Sequence, residues 1–270
     1  MCVPNMSADS IRAGGWRADR GRETHSRSLS DAEDSGHDVR DRLLGANVVD
    51  LTQPFRAGFP VSAFESPSCE PLHLEDVPGY HNQRWTFTEH SGTHVDAPAH
   101  LIAGGATADT MPIEDFFLPL AVIDIRAKVE ADSDALLEVD DLIAYEDTFG
   151  EIGRGSAVAL QAGWDIRAAD QDRWLNPDAS GTFHFPGFSL ESARWLEARS
   201  VKALATDTTS TDPGESATYP VHYFWLGTGG YQIEGLAHLD RVPPAGAQVA
   251  VGLPPFVGGS GGPCRVLARY

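Results

Sequence analysis

The chain has 270 residues, 41% of them hydrophobic and 22% charged, which suits one large domain or two small ones with a core of ordinary size. A formal net charge of −19 and a pI near 4.7 argue against a nucleic-acid surface, which needs a basic face. There is no run of 18 apolar residues to predict a membrane span, and three scattered cysteines (Cys2, Cys69, Cys264) without a CxxC argue against a disulfide framework and a cysteine-based zinc site, so a reducing cytoplasm is the expected setting.

Residues 1–45 are rich in Ser, Asp, Arg and Gly and lack the apolar stretch of a secretory signal. They are predicted to be a disordered extension with a short helix near 39–44, and translation could also start at Met6. The ordered domain is expected over 46–270. Residues 48–52 open it as a short β-branched strand, and a Pro/Gly/Ser-rich stretch over 54–71 reads as a loop. Alternation over 84–89 predicts a strand leading into a histidine-rich segment. Further strands are expected at 120–125, 156–161, 201–206, 248–253 and 265–268, the last two separated by a Gly-rich turn at 258–262. Helical spacing predicts helices over 139–149 and 189–199, the second capped by Ser189. Interleaved strands and helices indicate a mixed α/β domain.

The chemistry concentrates in His90-Ser-Gly-Thr-His94-Val-Asp96-Ala-Pro-Ala-His100, which holds three of the ten histidines. Imidazole and carboxylate together suit zinc, manganese or iron. His94 and Asp96 are two apart, so an extended backbone puts them on one face, able to converge on one ion. His90 and His100 share that parity, but a straight strand would spread the four over roughly 33 Å, so a single site requires bends, for which Gly92 and Pro98 are the natural places. Thr93 can offer a hydroxyl to a neighbouring carboxylate. On spacing alone, a polar loop with hydrogen-bonded histidines stands as the other reading.

This string resembles the signature of a cyclase family of metal-dependent hydrolases that includes bacterial kynurenine formamidases and isatin hydrolases. The resemblance runs from about Val48 to the C-terminus and takes in Leu51-Thr-Gln-Pro, Gly163-Trp-Asp, Thr206-Asp207, and His222 followed twelve residues later by Glu234. Glu89-His-Ser-Gly-Thr-His and the region from Gly150 to Arg167 look closer to the isatin hydrolases. Phe59-Pro-Val-Ser-Ala-Phe64 departs from the Trp-Pro-Gly-Asp of the formamidases, whereas Glu234 fits them, because isatin hydrolases carry glutamine there.

The resemblance implies His90, His94 and Asp96 as metal ligands, completed by His222 and Glu234, with His100 as acid/base. It also implies one or two divalent ions, zinc or manganese, a swivelling β/β/α type of fold, and a homo-oligomer, dimer or tetramer. Without it, His222 reads as a packed residue, and Glu234, in an apolar stretch of helical character, as a carboxylate in need of a partner. Phe59 and Phe64 are candidates to line an aromatic substrate pocket, and His184 is a weaker candidate for substrate contact. Trp164, Asp165 and Asp207 are expected to hold strand ends. No Gly-x-Ser-x-Gly elbow is present, which argues against a serine hydrolase.

The expected activity is hydrolysis of a carbon–nitrogen amide bond in a small, aromatic amide. The ion would acidify water and polarise the carbonyl, and a histidine would protonate the departing nitrogen. A polyketide-type cyclase and a non-enzymatic metal-binding protein on the same fold are the competing readings.

Overall fold

Among residues 47–61, 65–72 and 79–270, which the computed structural model describes, the strands run β1 (Val48–Asp50), β2 (Ser68–Leu72), β3 (Asn82–Thr86), β4 (His94–Asp96), β5 (Phe117–Asp124), β6 (Leu136–Leu137), β7 (Ala157–Gln161), β8 (Gly187–Phe188), β9 (Ala203–Thr206), β10 (Tyr231–Glu234), β11 (Ala247–Gly252), β12 (Gly261–Pro263) and β13 (Arg265–Arg269). The α-helices are α1 (Arg126–Ala131), α2 (Val139–Phe149), α3 (Gln171–Leu175), α4 (Leu190–Glu197) and α5 (Pro220–Gly227). The extension over 1–45, its short helix and Phe64 lie outside the described residues.

Nine strands form one sheet in the order β1-β13-β11-β5-β7-β9-β10-β4-β12. Its centre, β5-β7-β9-β10, is parallel, and its flanks are antiparallel. Strands β7 and β9 are buried along their whole length, hence their unbroken apolar runs Ala-Val-Ala-Leu and Ala-Leu-Ala. One face of the sheet packs under the helices, through Ala121, Ile123, Val158, Leu160 and Leu204 against Leu142, Leu196, Val221 and Trp225. The other face carries Leu120, Val122, Ala159, Ala205, Ile233, Val249 and Val266 around a second core. Side chains alternate along a strand. Val95 and Ile233 therefore serve the second core, and His94, Asp96 and Glu234 emerge on the helix-covered side.

Helix α2 spans the predicted residues and carries a capping box between Glu138 and Asp141. Helix α4 starts where Ser189 accepts a hydrogen bond from Ser192 N. Asp207 at the end of β9 accepts from Ala162 N, Gly163 N and Trp164 N (3.0, 2.8 and 3.3 Å), tying down the end of β7 as expected.

Three expectations need correction. The stretch over 54–71 is not all loop, because β2 starts at Ser68 and pairs with β3. The strand expected over 84–89 is β3, which ends at Thr86. Glu234 is on a strand rather than a helix, and the helix lies earlier, at α5, where Pro220 occupies the first turn and leaves no amide unpaired. Among the described residues no helix is long and apolar enough to cross a membrane.

Candidate metal centre

Strands β4 and β10 run antiparallel with His94 opposite Glu234. Directly opposed side chains on one face lie close together, so this pairing alone brings an imidazole to a carboxylate. His94 Nε2 is 3.5 Å from Glu234 Oε2 and 3.3 Å from Asp96 Oδ1. Helix α5 supplies the fourth group from the opposite wall. His222 Nε2 lies 3.3 Å from both Asp96 Oδ2 and Glu234 Oε1. Each of the two imidazole nitrogens thus lies against both carboxylates, and all four residues are buried.

The approach of the two strands depends on glycine. Gly92 has φ +70°, Gly235 has φ +66°, and a Cβ on Gly235 would sit 2.7 Å from Gly92 O. Thr93 bridges the same junction. Its hydroxyl donates to Gly235 O (2.6 Å) and accepts from Gln53 N (2.8 Å), so it binds backbone rather than the carboxylate expected from sequence. The Leu51-Thr-Gln-Pro segment is the strap that meets it.

The outward nitrogens are also held. His94 Nδ1 lies 3.0 Å from Gly92 O and His222 Nδ1 2.6 Å from Asp212 Oδ2. A nitrogen that donates to an oxygen leaves its ring partner with a free lone pair, so both Nε2 atoms are set up to accept a cation. Asp212 was missed in the sequence. It also accepts from Val221 N and His222 N, so one carboxylate starts helix α5 and aims its histidine. Next to it, Thr211 N donates to Glu234 Oε1 at 2.8 Å. Changing Asp212 to Asn should weaken divalent-metal binding by about 10–100-fold, measured by chelator competition, with helix content unchanged by circular dichroism.

The electrostatics fit a cation. Burial alone would lower the His94 pKa, but Asp96 and Glu234 outweigh it and lift it to about 9. His222 is lifted well above its usual value, against its burial, by Asp212, Asp96 and Glu234. Burial would raise the Asp96 carboxyl, yet His94, His222 and His90 hold it well below the ordinary range. Such a cluster demands positive charge, and a divalent ion can replace the protons that otherwise supply it. The donor set of imidazole and carboxylate suits zinc or manganese.

His90 and His100 flank this group. His90 Nδ1 lies 2.5 Å from Asp96 Oδ1, and one nitrogen each of His90 and His94 and an oxygen of Asp96 fall within 4.8 Å of one another. His100, on the 3-10 turn Pro98–His100, stacks over His90 with ring centroids 3.8 Å apart. It also places a nitrogen within 4.8 Å of Asp96 and His222. Its pKa is pushed down to about 4 by burial, opposed by Asp96 and reinforced by His90, His222 and His94.

A cavity of about 240 Å³ opens over the cluster. Phe59 lines it, edge-on to Trp174, and Phe183, Phe185 and Tyr219 complete an aromatic wall that sequence reading did not find. His184 does not line it. Its ring turns to Asp134 (2.7 Å) and Asp178 (3.6 Å), while its two neighbours face the cavity.

The profile of a family described as Putative cyclase matches residues 49–213. The isatin hydrolase of Roseibium aggregatum is 34% identical over 188 residues, 67% of this chain and 71% of that protein. The kynurenine formamidase of Salinibacter ruber is 29% identical over 184 residues, 68% of this chain and 77% of that protein. A crystal structure of an isatin hydrolase bound to the product analogue thioisatinate superposes with a TM-score of 0.81 at 28% identity, covering 90% of this chain and 99% of that one. The mixed α/β fold is therefore shared with isatin hydrolases.

Proposed function

Because the chain belongs to the Cyclase family, we propose that it is a metal-dependent hydrolase that opens the carbon–nitrogen amide bond of a small aromatic amide. The observation that carries this reading is the meeting of His94, His222, Asp96 and Glu234 at the floor of an aromatic-walled cavity. His94, His222, Asp96 and Glu234 would hold a divalent ion, zinc or manganese, which when bound would acidify water and polarise a carbonyl. One or two ions per chain are proposed, since Asp96 faces histidines on both of its oxygens.

The chain's own residues supply the rest. Phe59, Trp174, Phe183 and Phe185 pack against a flat ring and exclude water from around it. His100, at the cavity wall beside the cluster, takes a proton from the attacking water and returns one to the departing nitrogen, which otherwise leaves poorly. Asp96 and Glu234 would hold the ion together with the histidines. A homo-oligomer, dimer or tetramer, and a cytoplasmic setting belong to the same proposal on family likeness.

Between the two relatives' chemistries, identity and superposition favour ring-opening of a cyclic amide such as isatin over hydrolysis of an N-formyl arylamine such as N-formylkynurenine. The test is a screen of metal-replete protein against both. Turnover of isatin in excess of the formyl compound is expected. Turnover of neither, with metal bound, would overturn the amidase reading.

A further inference from the structure

We propose that Glu89 and Ser260 are a positioning pair for His90, fixing its tautomer so that Nε2 carries the proton and Nδ1 presents its lone pair to the metal centre. The proposal rests on the reading of His90 as a ligand.

The contacts of Ser260 fix the proton on His90 Nε2. Ser260 Oγ donates to Glu89 Oε2 at 2.5 Å, and Ser260 N donates to the same oxygen at 3.1 Å. A hydroxyl has a single proton, and Glu89 takes it. His90 Nε2, 2.9 Å from Ser260 Oγ, must then be the donor in that contact. Were His90 the acceptor, the hydroxyl would point at the ring, and its oxygen would face a carboxylate at 2.5 Å with no proton between them. With the proton on Nε2, Nδ1 turns a lone pair towards Asp96 Oδ1, on the side where His94 also reaches Asp96. A lone pair facing a carboxylate oxygen requires positive charge at the contact, a proton in the metal-free protein or the bound ion that would displace it.

Ser260 arrives from the far end of the chain, and its placement is well fastened. Ala97 N donates to Ser260 O (2.9 Å), Gly258 N to Asp109 Oδ1 (2.9 Å) and Ala108 N to Gly259 O (2.9 Å). Strand β12 then pairs with β4, Gly261 opposite Asp96. A Cβ on Gly261 would collide with Val95 O and press on the His90 ring at 3.0 Å, so glycine is what allows this approach. The Gly-rich segment expected to be a plain turn is the wall that sets the orientation of His90.

The test uses the full chain, stripped of metal and titrated with zinc against a chelator. Ser260→Ala and Glu89→Gln should each bind zinc about 10–100-fold more weakly than wild type. The double variant should lose little more than the weaker single, because both act through one contact. Ser260→Thr should restore most of the loss. Wild-type affinity in a folded Ser260→Ala or, if that protein does not fold, in Glu89→Gln overturns the proposal. So does a histidine side-chain ¹⁵N spectrum of the zinc-loaded wild type with the His90 proton on Nδ1. If the wild type takes up no metal, the reading of the site as a metal centre fails instead. The metal-free spectrum then decides the tautomer, with the Nε2 proton shielded in wild type and exposed to exchange in Ser260→Ala supporting the pair, and no difference refuting it.

Discussion

Asp96→Asn is expected to leave a folded protein that holds less than about a tenth of an equivalent of divalent metal and turns over roughly 10³–10⁵-fold more slowly. Asp96 is 1% exposed and is the hub of the cluster. One oxygen faces His90 and His94, and the other faces His222. Among the described residues no other side chain pairs with three imidazoles. The amide keeps the shape and removes the charge, so the substitution separates electrostatics from packing. His94 and His222 would keep Glu234, His90 would lose the one carboxylate it faces in the cluster, and a divalent ion would lose its central anionic ligand. Elemental analysis of the purified variant, set beside its steady-state rate, checks both halves. A variant that keeps its metal and most of its rate would show that Asp96 is a packing residue.

The ordering of the chain was largely legible from its hydrophobic pattern, for reasons visible in particular elements. Helix α2 announces itself because apolar spacing, an acidic first turn and a following glycine agree with one another. The strands β7 and β9 and the middle of β5, Leu120 to Ile123, show as apolar runs because both of their faces are covered. Helix α5 was not legible. Pro-Val-His-Tyr-Phe-Trp-Leu-Gly is apolar on nearly every side, so it has no periodicity to read, and its start is specified by Asp212, which lies outside the helix. Glu234 was misplaced for the converse reason. Strand β10 is only four residues long and wholly buried, and tertiary pairing with β4 and β9 decides its state.

The site divides in the same way. The spacing of His94 and Asp96 is a local signal, and the face they share follows from strand geometry. The other partners are not local. His222 and Glu234 were reached only through family resemblance. Asp212, Ser260 and the aromatic wall of Trp174, Phe183 and Phe185 come from segments that no spacing rule links to residues 90–100. His184 shows how fine the margin is. The sequence offered His184 alone as a weak candidate for substrate contact, and the structure turns its two phenylalanine neighbours to the cavity and the histidine away, onto Asp134.

His100→Ala should slow turnover by about 10²–10⁴-fold while metal content stays at the wild-type level. His94→Ala should lose both. The two histidines belong to one motif but stand in different relations to the cluster. His94 is buried on β4, with Nδ1 held at Gly92 O and Nε2 aimed between Asp96 and Glu234. His100 lies after the turn made by Pro98, half-buried at the cavity wall, with its ring resting on His90 and making no hydrogen bond among the described residues. A ring held only by stacking can follow a proton between the water side and the departing nitrogen, whereas a ring held at both nitrogens cannot. The size of the loss should track the leaving group. A poorly leaving amide nitrogen needs its proton early and should suffer near the upper limit, and an activated anilide or ester should suffer least. His100 also comes within 4.8 Å of Asp96 and His222, so the geometry admits a second role as a ligand. Metal analysis of the two variants side by side separates the roles. If His100→Ala releases its metal as fully as His94→Ala does, His100 is a ligand, and the proton must be carried by another group at the cavity wall.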